Sequence, residues 1–507
     1  MAIEHAHAQA PPEITKSTMA DVEPDRDIDN VSATKGDISE TLYIDPAAEK
    51  SYVRKLDLYL LPVLSLMYFC RFTTGGNIGN AKTDGMDKDL GLIGEQYSIM
   101  MTLINVPFVL LEPVQTMMVK RYGGRIVIPS LLFGWGIVSM CQAAVSNYAG
   151  ILACRLLIAC FQSGFFSGCI FYLTLFYKRD ELAFRTAAFY GSATIAGAFT
   201  GLISYGVFQI DASIPSWKIL FLIEGAMTLV WGAASFWLIP STPQDCKWLT
   251  DAEKATAHAR LMKDSTAEVG SRYNLRAGLR ALAEPKMWFF MLLCVSYGVA
   301  TKSTGTFLPQ IVGRLGYSTV KTNLYLVAPN LVGCVFTLLV TWSSDRFQER
   351  TVHLCTGLSF TMVGYLMLAG LNPLRQRGPS YAGAFFLSMG TYIPSCLVHS
   401  WHNNIKTDEN SRAMITGVMV GFSSVGSIIS AQMFREEWAP KYVQALGVTG
   451  GFQALAIVIT AGLGIWMRRQ NTKRDRAMGL TTPLKPGDTP QCDLVNGEKD
   501  IRFRYWT

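Results

Sequence analysis

The chain has 507 residues, half of them hydrophobic and 16% charged, with a net charge of +7. Soluble domains carry about a quarter charged residues, so this balance excludes an ordinary soluble fold; the modest positive charge calls for no nucleic acid, because the inner loops of a membrane protein account for it. The 11 cysteines are scattered singly, with no Cys-x-x-Cys pair and no cysteine–histidine cluster, which indicates neither a disulfide framework nor a metal site.

Residues 1–50 are polar, acidic and proline-containing, the composition of a disordered cytoplasmic tail rather than a signal peptide. Apolar segments of roughly 20 residues, enough to cross a bilayer, follow at 57–79, 95–117, 124–146, 149–176, 184–208 and 217–239. The interval 241–284 opens on a proline-bearing exit and a charged helical pattern, TPQDCKWLTDAEKATAHARLMKDS, and reads as a cytoplasmic linker. Apolar segments resume at 285–309, 321–343, 350–371, 379–402, 412–434 and 446–468. The expected fold is an all-α membrane protein: twelve transmembrane helices in two six-helix halves, 51–240 and 285–470, followed by a cytoplasmic tail, 471–507. Lys120, Arg121 and Arg125, then Lys178, Arg179 and Arg185, then Arg468, Arg469, Lys473 and Arg474 fall in alternate loops. By the positive-inside bias both chain ends face the cytoplasm, in what reads as a plasma membrane protein.

Charges inside the spans are the next signal, since each costs at least ~2.5 kcal/mol in a bilayer. Arg71, Arg155 and Lys302 stand in the first, fourth and seventh spans. The embedded carboxylates, Glu112 and Glu224, stand in the second and sixth, Glu112 near the inner end. Cations without obvious partners in a cavity call for an anionic ligand; the plainer reading ties Arg155 to backbone carbonyls and lets Lys302 reach the outer surface. Glycines at 164 and 168, and at 197 and 201, have the spacing of close helix packing. No GxxxxGK[ST] loop is present, so nothing points to direct use of ATP, and no nucleophile–base cluster points to an enzyme.

Several motifs resemble a known family. SSDRFQER (Ser343–Arg350) resembles the D-R-x-x-x-R cytoplasmic loop of the major facilitator superfamily, with Asp345, Arg346 and Arg350 as its charged positions. The resemblance implies that the acid meets the positive N-terminus of a helix in the same half. KRYGGR (Lys120–Arg125) is the matching loop without the aspartate, and Arg155 opens RLLIACFQSGFFSG, similar to the superfamily's helix-4 arginine motif. More narrowly, KLDLYLLPVLSLMY, NIGNAK, FYKRDELAFRTA, FLIEGAMTLVWG, TPQDCKWLTDAE, FLPQIVGRLGY and SWHNN, in order from residue 55 to 404, resemble the fungal anion:cation symporter family, in its allantoate permease branch.

That resemblance implies alternating-access transport of a small organic anion, such as allantoate, nicotinate, pantothenate, biotin or tartrate, with protons and without a cofactor, by a monomer. It implies a cavity lined by helices 1, 4, 7 and 10 and substrate-binding roles for Arg71, Arg155, Lys302, Asn77, Asn80, Gln162, Trp401, Asn403 and Asn404. The chain departs from the pattern where the family reads D-R-[ST]-N-I-G-N-A and G-x-x-E-A-G. Thr74 and Gly75 stand for the Asp and Arg, and Gln162 for the Glu. Arg71, one turn and ~6 Å from position 75 along the helix, reads as a relocated arginine. With the helix-4 glutamate absent, His399, His402 and Glu224 are the candidates for proton coupling. The alternatives are export of an acidic metabolite, an uncoupled facilitator, and a nutrient sensor that binds without transporting.

Overall fold

The computed structural model describes residues 44–263, 272–313, 319–372, 375–433, 442–480, 482, 484 and 497–507. Most of the expected N-terminal tail lies outside them; the first helix starts at Pro46, where Asp45 accepts hydrogen bonds from the amides of Ala47 (3.0 Å) and Ala48 (3.4 Å). The first half comprises α1 (Pro46–Lys82), α2 (Gln96–Tyr122), α3 (Gly124–Ala144), α4 (Tyr148–Leu173), α5 (Leu182–Val207) and α6 (Ser216–Leu238). The second comprises α7 (Pro285–Gly313), α8 (Thr319–Phe347), α9 (Thr351–Gly370), α10 (Arg377–Ile405), α11 (Glu409–Met433) and α12 (Val443–Ala477). Eleven helices are long and apolar enough to cross a membrane among the described residues; α7, 29 residues long, completes twelve. The last helix runs to Ala477, past the expected boundary at 470.

Three of the helices are irregular where a proline removes a backbone donor. Pro62 cannot donate to the Leu58 carbonyl, and Leu56–Leu60 is π-helical. Pro107 and Pro394 follow the breaks at Ile104 in α2 and Tyr392 in α10.

Helix packing follows a repeat. In the first half α1 packs on α5 and α6, α2 on α4, and α3 on α4 and α6; in the second, α7 packs on α11 and α12, α8 on α10, and α9 on α10 and α12. Adding six to each number maps one half onto the other. The seam between halves obeys the same rule, with α2 against α11 and α5 against α8. Of the two paired-glycine spacings, Gly164 and Gly168 pack against Gln115 and Val119 of α2, but Gly197 and Gly201 meet nothing within 4 Å. That second pair lies on an exposed stretch of α5, beside Leu202 and Tyr205, and meets no helix among the described residues.

The loops 174–181, 239–284 and 348–350 mark one end of the bundle, called here the linker face, and the other end is the distal face. Two seam contacts shut the linker face. Asp345, at the end of α8, accepts from the Phe184 amide in the first turn of α5 (2.8 Å), while Arg350 holds its other oxygen (2.6 Å) and donates to the Arg179 carbonyl (3.1 Å). Lys120, at the end of α2, pairs with Glu409, the first residue of α11. These are the same contact in the two repeats, made with opposite charges. The aspartate therefore meets a helix N-terminus of the opposite half, correcting the expectation of a contact within its own half. Arg346 is exposed.

The linker carries helices Asp251–Lys263 and Leu275–Leu282. Glu253 accepts from Lys55 (2.8 Å) and Ser51 (2.6 Å) of α1, and buried Arg260 joins Glu49 (2.9 Å) to Glu181 (2.5 Å). It is thus bolted to the first half by charge.

A Cβ at Gly390 would lie 2.2 Å from the Gly357 carbonyl oxygen, a backbone atom that cannot swing aside. Gly390→Val is expected to cost ~1–3 kcal/mol of packing between α9 and α10. It should lower the thermal unfolding midpoint of purified protein by roughly 2–10 °C, whereas Gly370→Val, with nothing within 4 Å, should leave it in place.

Candidate functional site

Arg71 stands half-buried in α1 toward the distal side of Tyr68. Its guanidinium carbon lies 5.4 Å from the Tyr68 ring centroid and 5.5 Å from that of Phe108 in α2, and its Nε is buried without a partner. Rings stabilise the cation without neutralising it. Its charge acts on Lys302 of α7, also half-buried, and on Glu112 of α2. The charges of two of the three expected cations, from opposite halves, therefore act on one another.

Glu112 is a finding. It is 1% exposed, its Oε2 has no partner, and a Cβ at Gly421 of α11 would lie 3.5 Å from that oxygen. The carboxyl is thus set in the α2–α11 seam, where Gly417 also comes so close that an added Cβ would lie 2.6 Å from Pro113 Cα. Sequence position alone put it near the inner end; only the pairing of helices brings it to Arg71.

Arg155 belongs to a second group, within the first half. Its Nη1 donates to the Thr74 carbonyl (3.3 Å), its guanidinium carbon lies 5.0 Å from the Phe221 ring centroid, and Nε and Nη2 have no partner. The charge it acts on is Glu224 of α6, fully buried. Asn77 donates to Glu224 and accepts from Asn80 (2.7 Å) and from Ser204 of α5 (2.9 Å). The NIGNAK asparagines thus tie α1 to α5 and α6 around a buried carboxyl.

The substituted positions meet in space. A Cβ at Gly75 would lie 3.8 Å from Gln162 Oε1, so the positions where the resembled pattern carries an arginine and a glutamate face each other across α1 and α4. Both charges of that pair are absent together. Gln162 is 5% exposed and its Nε2 has no partner.

The remaining candidates lie on the linker side of an aromatic floor. Tyr68 packs on Phe189 (centroids 4.6 Å apart), Tyr190 of α5 on Tyr392 of α10 (5.6 Å), and Phe166 of α4 on His399 (5.9 Å), closing the seam beneath Arg71. These rings come from four helices, so no one helix's periodicity announces them. His399 is hydrogen-bonded to the Tyr297 hydroxyl (3.0 Å) and to His402 (3.1 Å), and both histidines are buried. Trp401 is fully buried and donates to the Trp506 carbonyl (2.8 Å). Asn403 donates to the His399 carbonyl (2.7 Å) and accepts from Thr416 (3.0 Å), while the Asn404 amide is buried without a partner. The structure does not bring these five to the cations; they build the closed end.

The family model of the Major Facilitator Superfamily matches residues 64–431. "MFS-type transporter efuF" of Hormonema carpetanum is 47% identical over 448 residues, covering 88% of this chain and 90% of that one. The high-affinity nicotinic acid transporter of Saccharomyces cerevisiae is 27% identical over 460 residues, covering 90% and 85%. Among solved structures, the proton:xylose symporter XylE with bound 6-bromo-6-deoxy-D-glucose is similar in fold, with a TM-score of 0.66 at 14% identity, covering 82% of this chain and 96% of the other.

Arg155 and Glu224 should behave as one unit. Arg155→Gln leaves a buried carboxyl without its cation, and Glu224→Gln in the same chain should recover much of the lost thermal stability. A double-mutant cycle is expected to return a coupling of ~0.5–3 kcal/mol; additive losses would show that the two act separately.

Proposed function

The chain belongs to the Major Facilitator Superfamily, a family of membrane transporters rather than enzymes, and from that premise we propose that it carries a small organic monocarboxylate, with protons, through the cavity at Arg71 and Lys302. The carrying observation is that the Arg71 guanidinium, with its Nε buried without a partner, acts by its charge on Lys302 of the opposite half and on the buried Glu112 carboxyl. With Glu112 protonated, as substrate binding requires below, Arg155 keeps Glu224 while Arg71 and Lys302 are left without a carboxylate, and an anionic cargo supplies charge in a medium where an unpaired ion is costly. Rings of Tyr68 and Phe108 flank the guanidinium and favour a planar, aromatic carboxylate. The likeness to a nicotinic acid transporter supports the same class of cargo. The fungal anion:cation symporter resemblance of the motifs agrees with it.

Taking the linker face as cytoplasmic, because Lys120, Arg121, Lys178, Arg179 and Arg468 gather there, the closed linker face supports an outward-facing state; the direction we propose is uptake, which an inward proton gradient would drive. Coupling is assigned to Glu112. When it is charged, Arg71 is shared between it and the substrate carboxylate; when it takes a proton, Arg71 is free for the substrate, so proton and anion each favour the other's binding. The groups around it leave that exchange undisturbed. Helix α4 contributes Ser167 and the Cys160 carbonyl to its contact with α2, α11 contributes Gly417 and Gly421, and Lys120 and Glu409 neutralise one another about two turns away. His399, His402 and Glu224 suit the role less well: the histidines lie beyond the aromatic floor and Glu224 is held by Asn77. Export of an acidic metabolite is the second reading, favoured by the missing Gly75–Gln162 charges.

Radiolabelled uptake of a panel of aromatic and aliphatic monocarboxylates in yeast expressing the chain tests the proposal. Arg71→Ala should forfeit ~1.5–3 kcal/mol of charge-assisted contact, roughly a 10- to 100-fold loss of apparent affinity, at unchanged protein level. Wild-type kinetics in that variant, or no uptake of any panel member, would refute the cargo assignment.

The pH dependence has a definite sign. The proton must be on the carboxyl when substrate binds, so initial uptake, at clamped membrane potential, should fall as external pH rises. Glu112→Gln, which mimics the protonated form, should flatten that profile, while His399→Gln with His402→Gln should preserve it. A flat profile in the wild type would mean an uncoupled facilitator.

A further inference from the structure

Residues 497–507, GEKDIRFRYWT, lie in what the sequence presents as a free tail, yet they are built into the linker face. Arg504 pairs with Asp475 of α12 (2.6 Å), Arg474 donates to the carbonyls of Phe503 and Glu498 (both 2.7 Å), and Asn471 exchanges two hydrogen bonds with the Tyr505 backbone (2.8 and 2.9 Å). Glu498 binds Lys286 at the start of α7 (2.6 Å) and Lys406 at the end of α10 (3.0 Å). So anchored, the segment aims its aromatic residues at the seam. The Trp506 ring lies under the Arg350 guanidinium (4.9 Å), its carbonyl accepts from the Trp401 indole (2.8 Å), and the Arg350 amide donates to the Thr507 carbonyl (3.0 Å). Phe503 lies under Arg179 of the first half (5.5 Å). Phe503, Tyr505 and Trp506 are each no more than 5% exposed.

Arg350 is also the residue that crosses the seam to the Arg179 carbonyl. In alternating access the halves rock about the central site, so opening the linker face parts Arg179 from Arg350 and strips Phe503 of its cover. The contact of Phe503 with Arg179 is kept only while that face is shut. We propose that residues 497–507 are a strap that holds the linker face closed, and that its release is required for the site to open there. The inference rests on family membership and the seam contacts, and it is independent of the cargo.

The test reads conformation without substrate. Cys169 of α4 and Cys396 of α10 are fully buried near Tyr68, and their modification by N-ethylmaleimide in the purified full chain is followed by peptide mass spectrometry. Truncation after Asp500, and separately Phe503→Ala with Trp506→Ala, should speed modification of both cysteines several-fold, and added synthetic GEKDIRFRYWT should slow it again in the truncated protein. The double substitution covers the case in which truncation itself unfolds the chain, recognised by a lowered thermal midpoint. Unchanged modification rates in a variant with a wild-type thermal midpoint would overturn the strap. So would faster modification that the peptide fails to reverse, since that is the behaviour of general loosening.

Discussion

The arrangement depends on the way the two halves are joined at the linker face. A carboxylate at the end of α8 caps the first turn of α5, and a lysine at the end of α2 meets the first carboxylate of α11. Helix N-termini carry partial positive charge, so Asp345 needs no cation on α5, whereas Lys120 needs Glu409 to supply the acid. With these two contacts in place the aromatic rings of α1, α4, α5 and α10 are packed together on the linker side of Arg71. Arg71, to which cargo binding is assigned, sits above that floor.

Above the floor, the cost of charge in a membrane decides which residue does what. Arg155 and Glu224 compensate each other within one half, so they hold the half together whichever way it tilts. Arg71, Glu112 and Lys302 are instead divided between α1, α2 and α7, and α2 meets α11 at the seam. Arg71 and Glu112 move together with the first half, while the distance of each from Lys302 changes when the halves move. A charge balance that reaches across the seam can therefore link the protonation of Glu112, on which Arg71 acts, to motion of the halves.

Much of this was legible in the sequence. Apolar length gave the spans, the charged interval gave the linker, and isolated charges in apolar runs singled out Arg71, Arg155 and Lys302. What stayed hidden depends on helix pairing across long sequence separations. Asp345 reads as a helix-end acid, but nothing in SSDRFQER says that its helix belongs to the other half. Glu112 reads as a carboxyl near a helix end, and only the α2–α11 crossing sets it in the seam against Gly421. Trp401, Asn403 and Asn404 were legible as a motif, yet the motif serves closure rather than the cavity. The GEKDIRFRYWT segment is charged enough to pass for a solvated tail, and its three aromatic residues among five charged ones are the signal of a docked segment.

The neutral pair at Gly75 and Gln162 limits how charge can enter the site. A Cβ at position 75 would lie 3.8 Å from Gln162 Oε1, so an arginine at 75 or a glutamate at 162 alone would bury one unpaired ion, at about 3–5 kcal/mol. Most proteins are only about 5–15 kcal/mol from unfolding. The two positions are therefore a single unit of variation: both charged or both neutral is tolerable, and a single change at either is not.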